Sequence, residues 1–206
     1  MEQAKNKFNQ LLTDINQVMT IYDFITLEVK APLDTSDLLR WQWVQAVSAF
    51  DKFVHDLVRI GMLEVFNDTR KATPKFNSFK FTFTELNNIK NSVNQESEFE
   101  KIILMKHSYL AFQDPDKVND ALSFIWDCND KWKIIAKNMG LEKDYCKKTL
   151  RNIVIRRNQI VHEGDYIDLY FRQEINKLNI VEFIENIKPG KWGYIKRCLR
   201  MLEDIS

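Results

Sequence analysis

From Thr35 to Phe66 the chain runs more than thirty residues without a proline, and the stretch holds Leu38, Leu39, Trp41, Trp43, Val44, Val47, Phe50, Phe53, Val54, Leu57 and Val58. Apolar side chains at this density, recurring at three- and four-residue intervals, make a helix that is apolar around more than half its girth. Such a helix has no face left for water and belongs at the centre of a bundle. Thr35 or Ser36 supplies its cap. The rest of the chain offers little alternative to helices: 5 Gly and 4 Pro in 206 residues leave few turns for many short strands.

Flanking segments follow the same period. Residues 2–29 carry Phe8, Leu11, Leu12, Ile15, Val18, Met19, Tyr22 and Ile25, ended by Pro32. Asn67-Asp68-Thr69 and Pro74 mark a loop, followed by the alternation Phe79-Lys80-Phe81-Thr82-Phe83. Thr84 is the expected cap of a third helix reaching residue 113, which Asp114-Pro115 closes. Residues 116–139 give one helix or two before Gly140. A helix over 142–162 stops near Gly164. The tail gives a helix across roughly 168–187, a break at Lys188-Pro189-Gly190, and a last helix with Trp192, Ile195, Leu199 and Leu202. No repeat or linker interrupts the series, so the expectation is an all-α bundle forming one domain over residues 1–206.

The formal net charge is +1, so no global field draws the protein to nucleic acid or to a membrane surface. No apolar run is long enough to span a bilayer. Cys128, Cys146 and Cys198 show no metal-ligand spacing, and the polar start Met1-Glu2-Gln3-Ala4-Lys5 does not resemble a signal peptide. The expectation is a cytoplasmic protein with free thiols and neither a metal nor another cofactor. No Gly-rich phosphate loop or Gly-x-Ser-x-Gly elbow is present.

Chemistry concentrates in Arg156-Arg157-Asn158-Gln159-Ile160-Val161-His162, on the last turns of the 142–162 helix. Advancing 100° per residue puts Leu150, Ile153, Val154, Ile160 and Val161 on one packed face. Arg157 falls in the middle of it. Lys147, Arg151, Asn158 and His162 form a stripe along one flank, and Arg156 lies on the other. An arginine amid apolar residues needs a reason, because an unpaired buried charge is costly. It pairs with a buried carboxylate, or reaches along its stem to the rim, or the face opens on a crevice that binds an anion. His162 likewise either caps helix carbonyls or moves protons near neutral pH.

Residues 143–157 hold six cations, with only Asp144 as a counter-charge inside the run. The expectation is a basic patch leading to His162, suited to a phosphodiester, with Arg151, Lys147 and Arg156 touching the substrate. Elsewhere, Asp51 and His55 stand one helical turn apart; they either support the arginine or form a local pair. Phe76, Phe79, Phe81 and Phe83 either stack bases or cover the core.

Arg157 and His162, with four residues between them, match the arginine–histidine signature of the HEPN superfamily in its Arg-Asn-x-x-x-His form. The wider run from Leu150 to Asp165 resembles most closely the RiboL-PSP-HEPN group, as does Ala49-Phe50-Asp51-Lys52-Phe53-Val54-His55-Asp56-Leu57-Val58-Arg59. The resemblance implies a bundle of four or more helices that homodimerises with the two motif helices close together. It implies a metal-independent endoribonuclease acting on RNA as a toxin or phage-defence effector, accompanied by an antitoxin or a defence-system partner protein. In that frame Arg157 binds the scissile phosphate and stabilises its transition state, His162 acts as general base or polarises the 2′-hydroxyl, and Asn158 orients one of them. Arg156 satisfies the looser form of the signature too. Relatives modified on tyrosine carry His-x-Tyr, where this chain has Gly164, its nearest tyrosine being Tyr166. The competing expectation is a non-catalytic module on the same scaffold, binding a nucleotide, RNA or a protein, or an accessory subunit.

Overall fold

The computed structural model describes residues 1–29 and 33–187, and Pro32, Cys198 and the last expected helix lie outside them. Helices follow in the order α1 (Glu2–Glu28), α2 (Ser36–Phe66), α3 (Pro74–Asn77), α4 (Phe83–Asn91), α5 (Gln95–His107), α6 (Pro115–Leu122), α7 (Lys131–Met139), α8 (Lys143–Glu163) and α9 (Lys177–Ile187). The architecture is all-α. Among the described residues the one β feature is an isolated bridge between Tyr166 and Arg172.

α2 is the axis of the fold. Its buried side chains lie all round it, from Leu39 and Gln42 through Phe50, Phe53 and Val54 to Met62, and α1, α5, α6, α8 and α9 pack against it. Phe8 of α1 stacks on Phe53 at 4.7 Å between ring centroids. Gly61 lets residue 125 approach: a Cβ there would sit 2.6 Å from Ile125 Cγ2. Gly61→Ala is expected to cost about 1–3 kcal/mol of stability, read as a lower urea midpoint at unchanged slope.

Capping chemistry sets the boundaries. Thr82, two residues before the expected cap, begins α4 with a reciprocal capping box to Glu85. Asn94 caps a separate α5, because its side chain accepts from Ser97 N. The single helix expected from Thr84 to residue 113 is therefore two, and the second ends at His107. Asp114 and Asp130 cap α6 and α7 in the same way, so residues 116–139 form two helices. Gly140 closes α7 with φ +68°, the left-handed C-terminal stop expected of glycine.

The phenylalanine-rich segment covers the core. Phe76, Phe79 and Phe81 are partly buried, and their rings stand 5.8–6.2 Å from that of Phe99; Phe83 alone points out. Phe79, Phe112 and Phe124 also surround His107, which burial, followed by the charges of His55 and Lys75, pushes down to about 4. A depressed histidine binds fewer protons folded than unfolded. Its contribution is whole above about pH 6.5 and is lost as pH falls towards 4. Wild type should accordingly lose about 2–3 kcal/mol across that window, and His107→Phe should flatten the urea-midpoint profile there.

Candidate functional site

α8 turns its N-terminal half into the core. Cys146, Leu150 and Ile153 are buried, and burial raises the Cys146 thiol. Towards the other end contact loosens: Val154 and Ile160 are half-buried, and Val161, expected on the packed face, is exposed. The last turns project past the packed interior, leaving Arg157 at its margin. The indole of Trp43 donates to the Ile153 carbonyl at 3.1 Å and stacks on Phe183, tying α8 to α2 and α9.

The two adjacent arginines have different surroundings. Arg156 Nη2 is 2.9 Å from Asp165 Oδ2, the same oxygen that Arg40 Nε reaches at 2.7 Å. Arg156 also donates to the Glu174 carbonyl, and Arg40 to that of Gln173. The Asp165 side chain is fully buried. This three-member cluster joins α2, the end of α8 and the segment after it. Arg156 also borders a cleft of about 530 Å³ with Trp43, Lys148, Asn152 and Phe183, on the flank away from His162. Arg156, expected to touch the substrate, is thus held by a carboxylate beside that cleft.

Arg157 is not held in that way. It is half-buried, and no carboxylate of the described residues forms an ion pair with it. Its Nη1 donates to Asn158 Oδ1 at 2.9 Å, and its buried Nε has no partner. Asp51 is close enough to feel the guanidinium charge. Asp51 accepts from Phe112 N at 2.5 Å and lies 3.7 Å from His55 Nε2, while His55 Nε2 lies 3.1 Å from the Leu110 carbonyl. Burial raises the Asp51 carboxyl, against the Phe112 hydrogen bond, His55 and Arg157, which lower it. Asp51 and His55 thus fix residues 110–113 beside the guanidinium.

His162 is exposed on the last turn and does not cap it. That job falls to Gly164, at φ +62°, whose N–H reaches back to Gln159 O. Asp165 follows at φ +67°, and its N–H takes the same carbonyl at 3.0 Å. Among the described residues no side chain or carbonyl engages the imidazole.

Three of the four other cations have acquired counter-charges from outside the run; Lys148 has no carboxylate partner among the described residues. Lys147 pairs with Asp116 at 2.8 Å, and Arg151 with Asp116 at 3.2 Å and Asp114 at 3.6 Å. The Lys147 hydrogen bond holds the Asp116 carboxyl below the usual carboxylate range. Lys143 pairs with Asp130. The uninterrupted basic patch expected from the sequence is therefore corrected to a stripe of ion pairs, because the chain folds acidic caps of α6 and α7 onto α8. Nothing in the periodic sequence pattern ties Arg40, Asp165 or these aspartates to the cations of α8. An aspartate directly after a helix-stopping glycine was the available signal for the first cluster.

Among the described residues no group of three or more His, Cys, Asp or Glu side chains could hold a metal ion, and no helix is long and apolar enough to cross a membrane. The profile of the RiboL-PSP-HEPN family matches residues 5–189. No curated protein and no solved structure matches the chain.

Proposed function

Because this chain belongs to the RiboL-PSP-HEPN family, we propose that it is a metal-independent endoribonuclease whose site is completed by a second copy of itself. One observation carries the reading. Among the described residues Arg157 keeps a half-buried guanidinium uncommitted to any carboxylate, on the same helix as an exposed, unengaged His162, while the adjacent Arg156 is neutralised. Guanidinium donors without a carboxylate partner are suited to phosphate oxygens.

In the proposed reaction His162 takes the proton of a ribose 2′-hydroxyl, and the 2′-oxygen attacks the adjacent phosphorus. Arg157 stabilises the charge that builds on the non-bridging oxygens. The bond to the 5′-oxygen breaks, and that oxygen takes a proton from the second copy's imidazolium or from water. The products are a 2′,3′-cyclic phosphate and a 5′-hydroxyl. Asn158, bonded to Arg157, orients it; Lys147 and Arg151 meet flanking phosphates. Arg157 and His162 point about 140° apart on one helix, so two copies bring unlike residues together better than one does. A toxin or phage-defence role in the cytoplasm, opposed by an antitoxin or joined to a defence partner, suits such an activity.

Incubation with structured and unstructured RNA in EDTA, with analysis of product ends, tests the proposal. Cyclic phosphate ends formed by wild type and not by His162→Ala are expected; cleavage abolished by EDTA, or full activity in His162→Ala, overturns it. A non-catalytic nucleotide-, RNA- or protein-binding module is the second reading. Its protein-binding form is favoured by the pairing of Lys147 and Arg151 with Asp116, which weakens attraction for a polyanion.

A further inference from the structure

Two residues after the end of α8 the chain forms a short, ordered finger. Tyr166, Ile167, Leu169, Tyr170 and Phe171 are each between 51% and 87% exposed. Five large apolar side chains in six residues, all turned outward, are not explained by packing among the described residues. Nor is the finger slack. The Asp168 carboxylate accepts from the backbone N–H groups of Tyr170 and Phe171 at 2.8 and 2.9 Å. Ile167 N donates to Phe171 O at 2.8 Å and Gln173 N to Asp165 O at 2.7 Å. At its base Arg172 Nε donates to the Gly164 carbonyl, and Asp165 is clamped by Arg40 and Arg156. A surface held in shape before binding loses little entropy when it binds.

We propose that this finger is the arm by which a second copy of this chain docks, and that Leu169, Tyr170 and Phe171 are its anchors. Area supports a partner of that size. At about 150–250 Å² per large side chain the five residues expose roughly 700 Å², close to the about 800 Å² that each side of a standard interface buries. Charge argues for protein over RNA. Glu163, Asp168 and Glu174 are exposed around the finger, and the guanidinium of Arg172 beside it is taken by Asp37 at 2.6 Å. Phosphates are repelled there. Lys148, with no carboxylate partner among the described residues, gives the other copy's α8 a cation of the complementary sign. The finger starts three residues after His162, so an arm gripping the second copy also fixes each imidazole relative to that copy's Arg157. The inference rests on the two-copy site proposed above.

Sedimentation velocity of wild type and of Leu169→Ser/Tyr170→Ser, without RNA, tests it. Wild type should dimerise, and the variant's dimer dissociation constant should rise at least about 100-fold with an unchanged circular dichroism spectrum and melting temperature, since both side chains are exposed. Leu169→Glu, a single change beside the same carboxylates, should act in the same direction. A wild-type monomer overturns the inference, as does a variant that dimerises normally; normal dimerisation with lost RNA binding assigns the finger to RNA instead. Loss of the dimer in a protein that never cuts RNA leaves the arm standing and removes only the nuclease.

Discussion

Arg157→Ala should lose about 10²–10³-fold in kcat for RNA cleavage, the usual loss when a transition-state donor is removed, with little loss of stability. The two halves of that expectation belong together. A guanidinium whose Nε is buried without a partner, and which no carboxylate neutralises, among the described residues, gives the fold little that alanine would take away. If Arg157 were structural, its removal would lower the melting temperature first and activity only in proportion to the unfolded fraction. Arg157→Lys keeps the charge but loses the paired donors, and should recover only part of the rate. Arg156→Ala is the control in reverse: it should destabilise the protein, because it removes one of the two cations held by Asp165. If Arg156→Ala instead abolishes turnover in a fully folded protein while Arg157→Ala is silent, the assignment of roles to the two arginines is wrong.

Asp165→Ala should destabilise by about 3–5 kcal/mol, the cost of stranding buried charges by removing their partner. Arg40 and Arg156 both direct a nitrogen at the same Asp165 oxygen, within 2.7 and 2.9 Å. Deleting that oxygen leaves two guanidinium groups facing each other without it. For a chain of this length the loss is about 10 °C or more in melting temperature. Asp165→Asn separates charge from backbone. Asparagine tolerates the left-handed conformation that this residue adopts at φ +67°, so the amide variant should retain the turn and lose only the ionic part. Equal destabilisation by alanine and asparagine would place the effect in charge; a mild asparagine variant would place it in the turn. A stability change under about 1 kcal/mol for alanine would contradict the clamp altogether.

Much of the scaffold was legible because local rules decide it. The α2 limits follow from an unbroken apolar period between a threonine and Asn67, and the α8 limits from a period that ends at Gly164. The helix expected from Thr84 to residue 113 failed at Asn94, since a mid-pattern asparagine becomes a cap only when its side chain finds the Ser97 N–H, and tertiary packing settles that. The tail helix begins at Lys177, not near 168, because the Asp165 clamp and the Asp168 turn claim residues 165–171 first. On α8, the flank holding Arg151, Asn158 and His162 was readable from angle alone. Which arginine is committed was not. That depends on Asp165 and Arg40, the latter 125 positions from its partner, and periodicity carries no information about such pairs. Neutralisation of Lys147 and Arg151 by residues 114 and 116 was hidden for the same reason.

Those last ion pairs have a consequence for anything anionic that approaches α8. Lys147 and Arg151 are already occupied, so a polyanion reaching them must evict Asp114 and Asp116. Engagement there is an exchange of tenants. The displaced carboxylates head α6, where Asp114 caps the backbone through its other oxygen; that bond survives the exchange, so the helix start holds while one flank changes partners.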